Sequence, residues 1–393
     1  RVDFPPQFRR RFKRPMACHS AVPPSVVVTV AAKRRMDNPA RSSIFLPMTY
    51  DSDILIAGGG LNGPALALAL ARNGLSVTVI DARPAPARGE VGFDGRAYAL
   101  AIASKRLLEG IGVWPLVADK VQPMVQIKTT DGRVGQGPSP LFLTFDSAEI
   151  EEGPMGFMLE DRHLYRAFLE AMATTPGITL LSGETVVAQE VTATGVSVTL
   201  ASGRVLTGKV LAGCDGRGSG TATRAGIRRQ GWGYGQTALV TAIRHERDHH
   251  GIAHQFFMPE GPLAILPLAG GYHSQIVWSE TEAHAAAIQG LDDAAYLAAL
   301  RPRFGDFLGE IALAGTRFTY PLSLSLAEQF VAPRLALVGD AAHGVHPIAG
   351  QGLNLGLRDI GALAQVLVEA TRRGEDIGAV DVLERYQVWR RFD

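Results

Sequence analysis

The chain has 393 residues, 46% hydrophobic and 20% charged, enough to bury one large core shared by two domains and unlike a disordered or fibrous chain. The net charge of +1 hides an asymmetry: residues 1–47 hold ten Lys and Arg against two Asp, a surplus of +8 that leaves −7 for the rest, so the acidic body gives no support for nucleic-acid binding. Two cysteines, Cys18 and Cys214, exclude a disulfide framework and a Cys-based metal site and fit a reducing compartment, and no apolar run reaches the ~18 residues of a membrane span.

Residues 1–47 carry seven prolines and no amphipathic helical pattern. They are expected to lie upstream of the true start, outside the fold, with Met48 just before the first strand. A transit peptide and a nucleic-acid tail are the alternatives for a stretch so rich in Arg and poor in acid.

The first element is an apolar strand over 53–57, followed by Gly58-Gly59-Gly60-Leu61-Asn62-Gly63 and an apolar helix over 64–72. A second strand, 76–80, ends in Asp81. This is G-x-G-x-x-G inside a complete strand–turn–helix–strand unit. Gly58 makes the turn, Gly60 lets a pyrophosphate approach, Gly63 lets the helix pack on the sheet, and Asp81 is placed to bind a ribose lacking a 2′-phosphate.

Helices are predicted over 96–108 and 161–173, then a β-meander of 185–191, 196–200 and 205–211, each strand alternating apolar and polar residues. The last strand leads into Cys214-Asp215-Gly216. An antiparallel sheet is read from strands near 124–130, 237–245, 253–258, 263–267 and 274–279, with helices over 281–289 and 292–300 beside it. A strand over 316–321 returns to the first domain.

The most informative stretch is 339–359, GDAAHGVHPIAGQGLNLGLRD. It follows the apolar run 335–338 and precedes a helix whose Leu, Ile, Ala and Val residues recur at helical spacing over 353–371. Asp340, at a strand end, can accept hydrogen bonds from sugar-like hydroxyls. Gly350 and Gly352 let a flat ring approach the backbone, and the helix start at Leu353-Asn354 offers unpaired N–H groups to developing negative charge.

The order of these motifs resembles the single-component FAD-dependent aromatic hydroxylases. Residues 346–359 (HPIAGQGLNLGLRD) are similar to the signature of the polyprenyl-phenol hydroxylases of ubiquinone biosynthesis, and 94–100 (DGRAYAL) and 160–164 (EDRHL) match further landmarks. The resemblance implies an α/β (α+β) architecture: a Rossmann-like FAD-binding domain of the p-hydroxybenzoate hydroxylase type, with an inserted antiparallel-sheet substrate domain. The cofactor domain is expected to be discontinuous, over 48–122, 155–235 and 316–393. The substrate domain takes 123–154 and 236–315, and further C-terminal helices are expected after Asp393.

The resemblance also implies non-covalent FAD, held by Gly58, Gly60, Gly63, Asp81, Arg96, Arg162, Asp215, Asp340, Gly350, Gly352, Leu353 and Asn354. Pro347 and His346 are placed beside its reactive edge. Only one G-x-G-x-x-G has a strand–helix context, so NADPH or NADH is expected as a transient co-substrate rather than the tenant of its own domain. The implied reaction is hydroxylation of a polyprenylated phenol by O2 through a flavin hydroperoxide. It carries peripheral contact with the inner membrane face from the cytoplasm and partnership with other ubiquinone-biosynthesis proteins. An FAD hydroxylase of a small soluble phenol and a non-catalytic subunit of such an assembly are the alternatives.

His343 and His346 are weighed as metal ligands and set aside, because a third ligand and helical placement are wanting. Trp232, Tyr234, Phe256, Phe257 and Trp278 are weighed as an aromatic pocket, with core packing as the default. The run 246–250 is read as a solvated turn.

Overall fold

The computed structural model describes residues 49–84 and 92–393; the leader lies outside the described residues. The strand Ser52–Ala57 sits at the centre of the first sheet, parallel to Val77–Asp81 on one side and Val205–Gly213 on the other. Helices cover this sheet, so its central strands are apolar on both faces rather than alternating. Ile54, Leu55, Ile56, Val77 and Val79 are all buried. Ile178–Ser182 extends the sheet beyond Val77–Asp81. On the far side Val205–Gly213 divides its length: its first half pairs with the meander strand Val196–Leu200, and its last residues with Leu335–Leu337. Helix Asn62–Ala71 packs against the long helix Gln351–Arg372, whose buried stripe includes Leu357, Leu363 and Leu367.

The second sheet is built on Arg229–His245, which pairs with Phe318–Ala327 and with His273–Thr281. Gly261–Pro267, Ile252–Met258 and Gln126–Arg133 continue it. Strand alternation splits its residues between faces. Leu239, Ile243, Leu263, Ile265, Ile276 and Trp278 pack against helices Glu282–Gln289 and Asp293–Phe304. Ala238, Val240, Ala242, Ala264 and Val277 occupy the other face.

A small third sheet, Ala97–Leu100 with Gly156–Glu160 and Gln122–Met124, closes against that other face through Met124, Met158, Ala242 and Ala253. Here the sequence reading needs correction. The helix expected over 96–108 begins only at Ile102, because Ala97–Leu100 pairs antiparallel with a strand far along the chain, and such a partner leaves no mark on a local 3.6-residue pattern. The strand expected over 316–321 is likewise Phe318–Ala327, held by Arg229–His245. The 246–250 turn is only partly solvated: His249 is buried and donates from Nε2 to the Leu268 carbonyl at 2.8 Å. Of the five aromatics, Phe256 and Trp278 are core, whereas Trp232, Tyr234 and Phe257 are exposed.

Candidate cofactor site

The glycine turn has one close-packed side and one open side. Gly58 adopts φ +107°, and a Cβ there would lie 2.4 Å from the Cys214 carbonyl oxygen. A Cβ on Gly63 would lie 2.0 Å from the Gly58 carbonyl oxygen, so this glycine sets how closely the helix approaches the turn. A Cβ on Gly60 would meet no atom within 4 Å. Nothing in the protein requires glycine there, which is the expectation for a position whose space belongs to a ligand. The turn borders a cavity of about 460 Å³, shared with Asp81, Asp215 and Gly216. Asp81 is buried at its strand end, with Oδ1 accepting the Arg83 N–H at 3.1 Å and Oδ2 facing the turn, 2.5 Å from where a Gly59 Cβ would be. Asp215 accepts from Ser219 Oγ (2.5 Å) and from the Thr221 N–H (2.9 Å), so it also caps a short helix. Arg83 and Arg224 line the same cavity. Burial pulls the Arg224 guanidinium below its ordinary value, and Asp215 opposes that pull.

The second motif forms the other end of the site. After Leu335–Leu337 the chain turns at Gly339, with φ +62°. Asp340 projects to the surface, where Oδ2 accepts from Arg217 Nε at 3.2 Å. Pro347 precedes the turn Ile348–Gly350, in which Ala349 (φ 55°) and Gly350 (φ 62°) are both left-handed. A left-handed alanine is costly and is kept where the surroundings force a shape. This shape delivers the chain into Gln351–Arg372 with no side-chain cap, so the N–H groups of the first turn have no capping side chain at the positive end of the helix dipole. A Cβ on Gly352 would meet no atom within 4 Å, and half-buried Leu353 packs on the main core.

Asn354 is fully used by the protein. Its Oδ1 accepts from Ala101 N–H (2.9 Å) and Ser104 Oγ (2.6 Å), while Nδ2 donates to the Ala99 (2.7 Å) and Gly350 (2.9 Å) carbonyls. Its side chain therefore braces the helix start, and only its main chain is left to act on a cofactor. His346 lies with its ring 5.3 Å from Tyr234. Burial, and then the charge of Arg217, pull the imidazole below its ordinary value, and Nδ1 accepts the Ile348 N–H at 3.1 Å.

The two motifs meet at Asn62, a residue the sequence reading passed over. Hypothetical Cβ atoms on Gly339 and Gly356 would lie 2.1 and 2.7 Å from its amide. Its Oδ1 is buried without a hydrogen-bond partner. Also passed over is a buried ionic cluster beneath Gly339. Asp359, wholly buried, accepts from the Gly339 N–H (2.8 Å), His343 Nε2 (2.6 Å) and Arg390 Nε (2.7 Å). No local pattern signals it, because its members come from a turn and two helices.

Arg96 and Arg162 are not brought to the cavity. Arg96 precedes a strand rather than opening a helix. It pairs with Asp94 at 2.8 Å and Asp161 at 3.6 Å and lies over the Phe318 ring at 5.2 Å. Arg162, in the first turn of Asp161–Thr174, donates to Glu160 at 2.6 Å and lies over Phe93 at 5.5 Å. No cluster of three potential metal ligands exists among the described residues.

Open space at Gly60 and Gly352, an uncapped helix start, carboxylates at two strand ends and an orphaned amide oxygen between them suit an extended dinucleotide with a hydroxylated linker. The site and fold are those of an FAD-binding flavoprotein. The chain belongs to the FAD binding domain family, which matches residues 51–391, and FAD is its cofactor. It is 45% identical to the ubiquinone hydroxylase UbiL of Rhodospirillum rubrum over 87% of this chain and 78% of that protein. It is 37% identical to the 3-demethoxyubiquinol 3-hydroxylase of Escherichia coli, covering 87% and 86%. Among solved structures, PqsL of Pseudomonas aeruginosa with 2-aminobenzoylacetate superposes with a TM-score of 0.73 at 25% identity, covering 86% and 91%.

Proposed function

We propose that this flavin-dependent hydroxylase acts on the phenol ring of a polyprenylated intermediate of ubiquinone biosynthesis. The observation that carries the reading is the contact of the signature loop, through His346, with Tyr234 on the second sheet, in a chain related over most of its length to ubiquinone hydroxylases. The first sheet with the signature loop holds the cofactor, and the second sheet, to which Arg229–His245 and Phe318–Ala327 both belong, supplies the face that meets the substrate.

Bound FAD supplies the redox chemistry: two electrons from NADPH or NADH reduce O2, one oxygen atom becomes the ring hydroxyl and the other leaves as water. The protein's part is position and charge. Gly58, Gly60 and Gly63 shape the pyrophosphate turn, and Asp81 accepts from the adenosine ribose. Asp340 exchanges its exposed Arg217 contact for cofactor hydroxyls, and the bare N–H groups at Gln351–Arg372 favour negative charge on the ring. Its lowered basicity, from burial and then the charge of Arg217, favours the neutral imidazole at His346 beside the reacting edge. Among the described residues no helix is long and apolar enough to cross a membrane, and we place the chain peripherally at the cytoplasmic face of a membrane, where prenylated substrates and partner enzymes gather.

Purified protein is expected to be yellow, and its NADPH oxidation to accelerate with a short-chain prenyl phenol but not with hydroxybenzoates. Colourless protein that takes up no FAD refutes the enzyme; acceleration by hydroxybenzoates alone refutes the prenylated substrate.

A further inference from the structure

One face of the second sheet is packed by helices, whereas the other carries a continuous line of residues that are half-buried or exposed except at Val240, which is buried. Cross-strand register assigns one residue per strand to this line. Phe318 pairs with Val240, Val240 with Val277, and Val277 with Ala264. Ala264 pairs with Gln255, Gln255 with Thr129, and Thr129 with Leu143 on the edge strand Leu143–Asp146. No member of the line is ionisable. Its length is six strand-to-strand steps, roughly 29 Å at about 4.8 Å per step.

The line is a shelf rather than a protruding patch. On one side the third sheet covers it through Met124 and Met158. Val277, Ala264, Gln255 and Thr129 are half-buried. On the other side it opens at Tyr320 and Phe257, 44% and 45% exposed, and its far end carries Leu143 and Phe145, 59% and 45% exposed.

Its near end is continuous with the cofactor elements. Arg96 covers Phe318, and the Asp94–Arg96 segment lies so close to the sheet that a Cβ on Gly95 would sit 2.8 Å from Ala242. The strand that follows, Ala97–Leu100, touches the signature loop, since a Cβ on Gly350 would lie 3.0 Å from Ala99. A linear, uncharged trough, polar only at Gln255 and Thr129, that starts beside the cofactor and ends in solvent matches a chain attached to a reacting ring. An anionic bilayer is a poorer occupant, because Asp131, Asp146 and Glu149 flank the open end and repel it.

We propose that this shelf, from Phe318 to Leu143, is the binding groove for the isoprenoid tail of the substrate. The proposal rests on the prenylated-substrate reading and adds where the tail lies. Small residues at the centre, Ala264 above all, leave the depth the tail occupies, and Leu143 with Phe145 hold its distal units.

The test uses the FAD-loaded full chain and isoprenoid alcohols of one and of four isoprene units, which lack the phenol, with binding followed by quenching of tryptophan fluorescence. Ala264→Leu fills the trough without adding polarity and is expected to weaken binding of the four-unit alcohol on the order of tenfold. Leu143→Ser, at an exposed edge, is expected to weaken the four-unit alcohol roughly fourfold, by the loss of about one methylene of contact, and to leave the one-unit alcohol unchanged. Flavin absorbance and melting temperature verify folding in both variants.

Equal loss for both alcohols in Leu143→Ser, or unchanged binding in Ala264→Leu, overturns the groove. Stronger sedimentation of Ala264→Leu with phosphatidylcholine vesicles, at unchanged alcohol binding, overturns it in favour of a membrane surface. Tail-length-dependent binding without hydroxylation of any prenyl phenol upholds the groove while refuting the proposed reaction.

Discussion

Asp359→Asn is the sharpest perturbation of the site, because it changes no cofactor contact and almost no volume. Asp359 receives three donors: the Gly339 N–H, His343 Nε2 and Arg390 Nε. An asparagine offers one oxygen and one NH2 group, so its NH2 must face at least one of these donors. Arg390, itself buried, then has no charge partner there except Asp393 at the chain end. Breaking a buried pair on one side costs about 3–5 kcal/mol. For a folded body of this size, with about 2.1 cal/mol/K of unfolding entropy per residue, that lowers Tm by roughly 4–7 °C.

The local effect falls on the turn carrying Asp340. Losing one charge-assisted hydrogen bond to Gly339, about 1.5–3 kcal/mol, predicts an FAD affinity about ten- to a hundredfold weaker. Calorimetry and an FAD fluorescence titration measure the two. The paired variant Asp359→Asn/Arg390→Met, which removes both charges, recovers most of the stability and restores the Asn oxygen to Gly339. A single variant within about 1 kcal/mol of wild type, with unchanged FAD affinity, refutes this account of the cluster.

Gly60→Ala and Gly63→Ala separate ligand space from packing space. Gly60→Ala leaves the apoprotein's Tm within a degree or two yet weakens FAD on titration, whereas Gly63→Ala meets the Gly58 carbonyl and costs roughly 1–3 kcal/mol of apoprotein stability. Asp81→Ala removes the ribose acceptor and weakens FAD by about tenfold, with AMP no longer competing for the site. His254 is held down to about 4, by burial first and then by Lys128, against about 6.5 in the unfolded chain. The folded state therefore binds fewer protons in that window, so stability is intact above pH ~6.5 and falls by up to about 3 kcal/mol as pH drops to ~4. Urea denaturation across that range should lose this slope in His254→Phe, which keeps the ring packing on Phe307.

The cofactor motifs were legible in the amino-acid sequence because each is local. Gly58, Gly60 and Gly63 are spaced by the geometry of a single strand–turn–helix, and 339–359 by that of a single strand end and helix start, so backbone sterics and the helix dipole write them into adjacent positions. The buried parallel strands were legible for the same reason, as short apolar runs.

Only the tertiary structure decided what depends on distant partners. Ala97–Leu100 is a strand because Gly156–Glu160 lies beside it. Asn62 joins the two motifs because Gly339 and Gly356 lie against it. Asp359 can stay buried because Arg390 and His343 converge on it. The open shelf from Phe318 to Leu143 exists only through six cross-strand registers, each fixed by long-range pairing that no window of neighbouring residues contains.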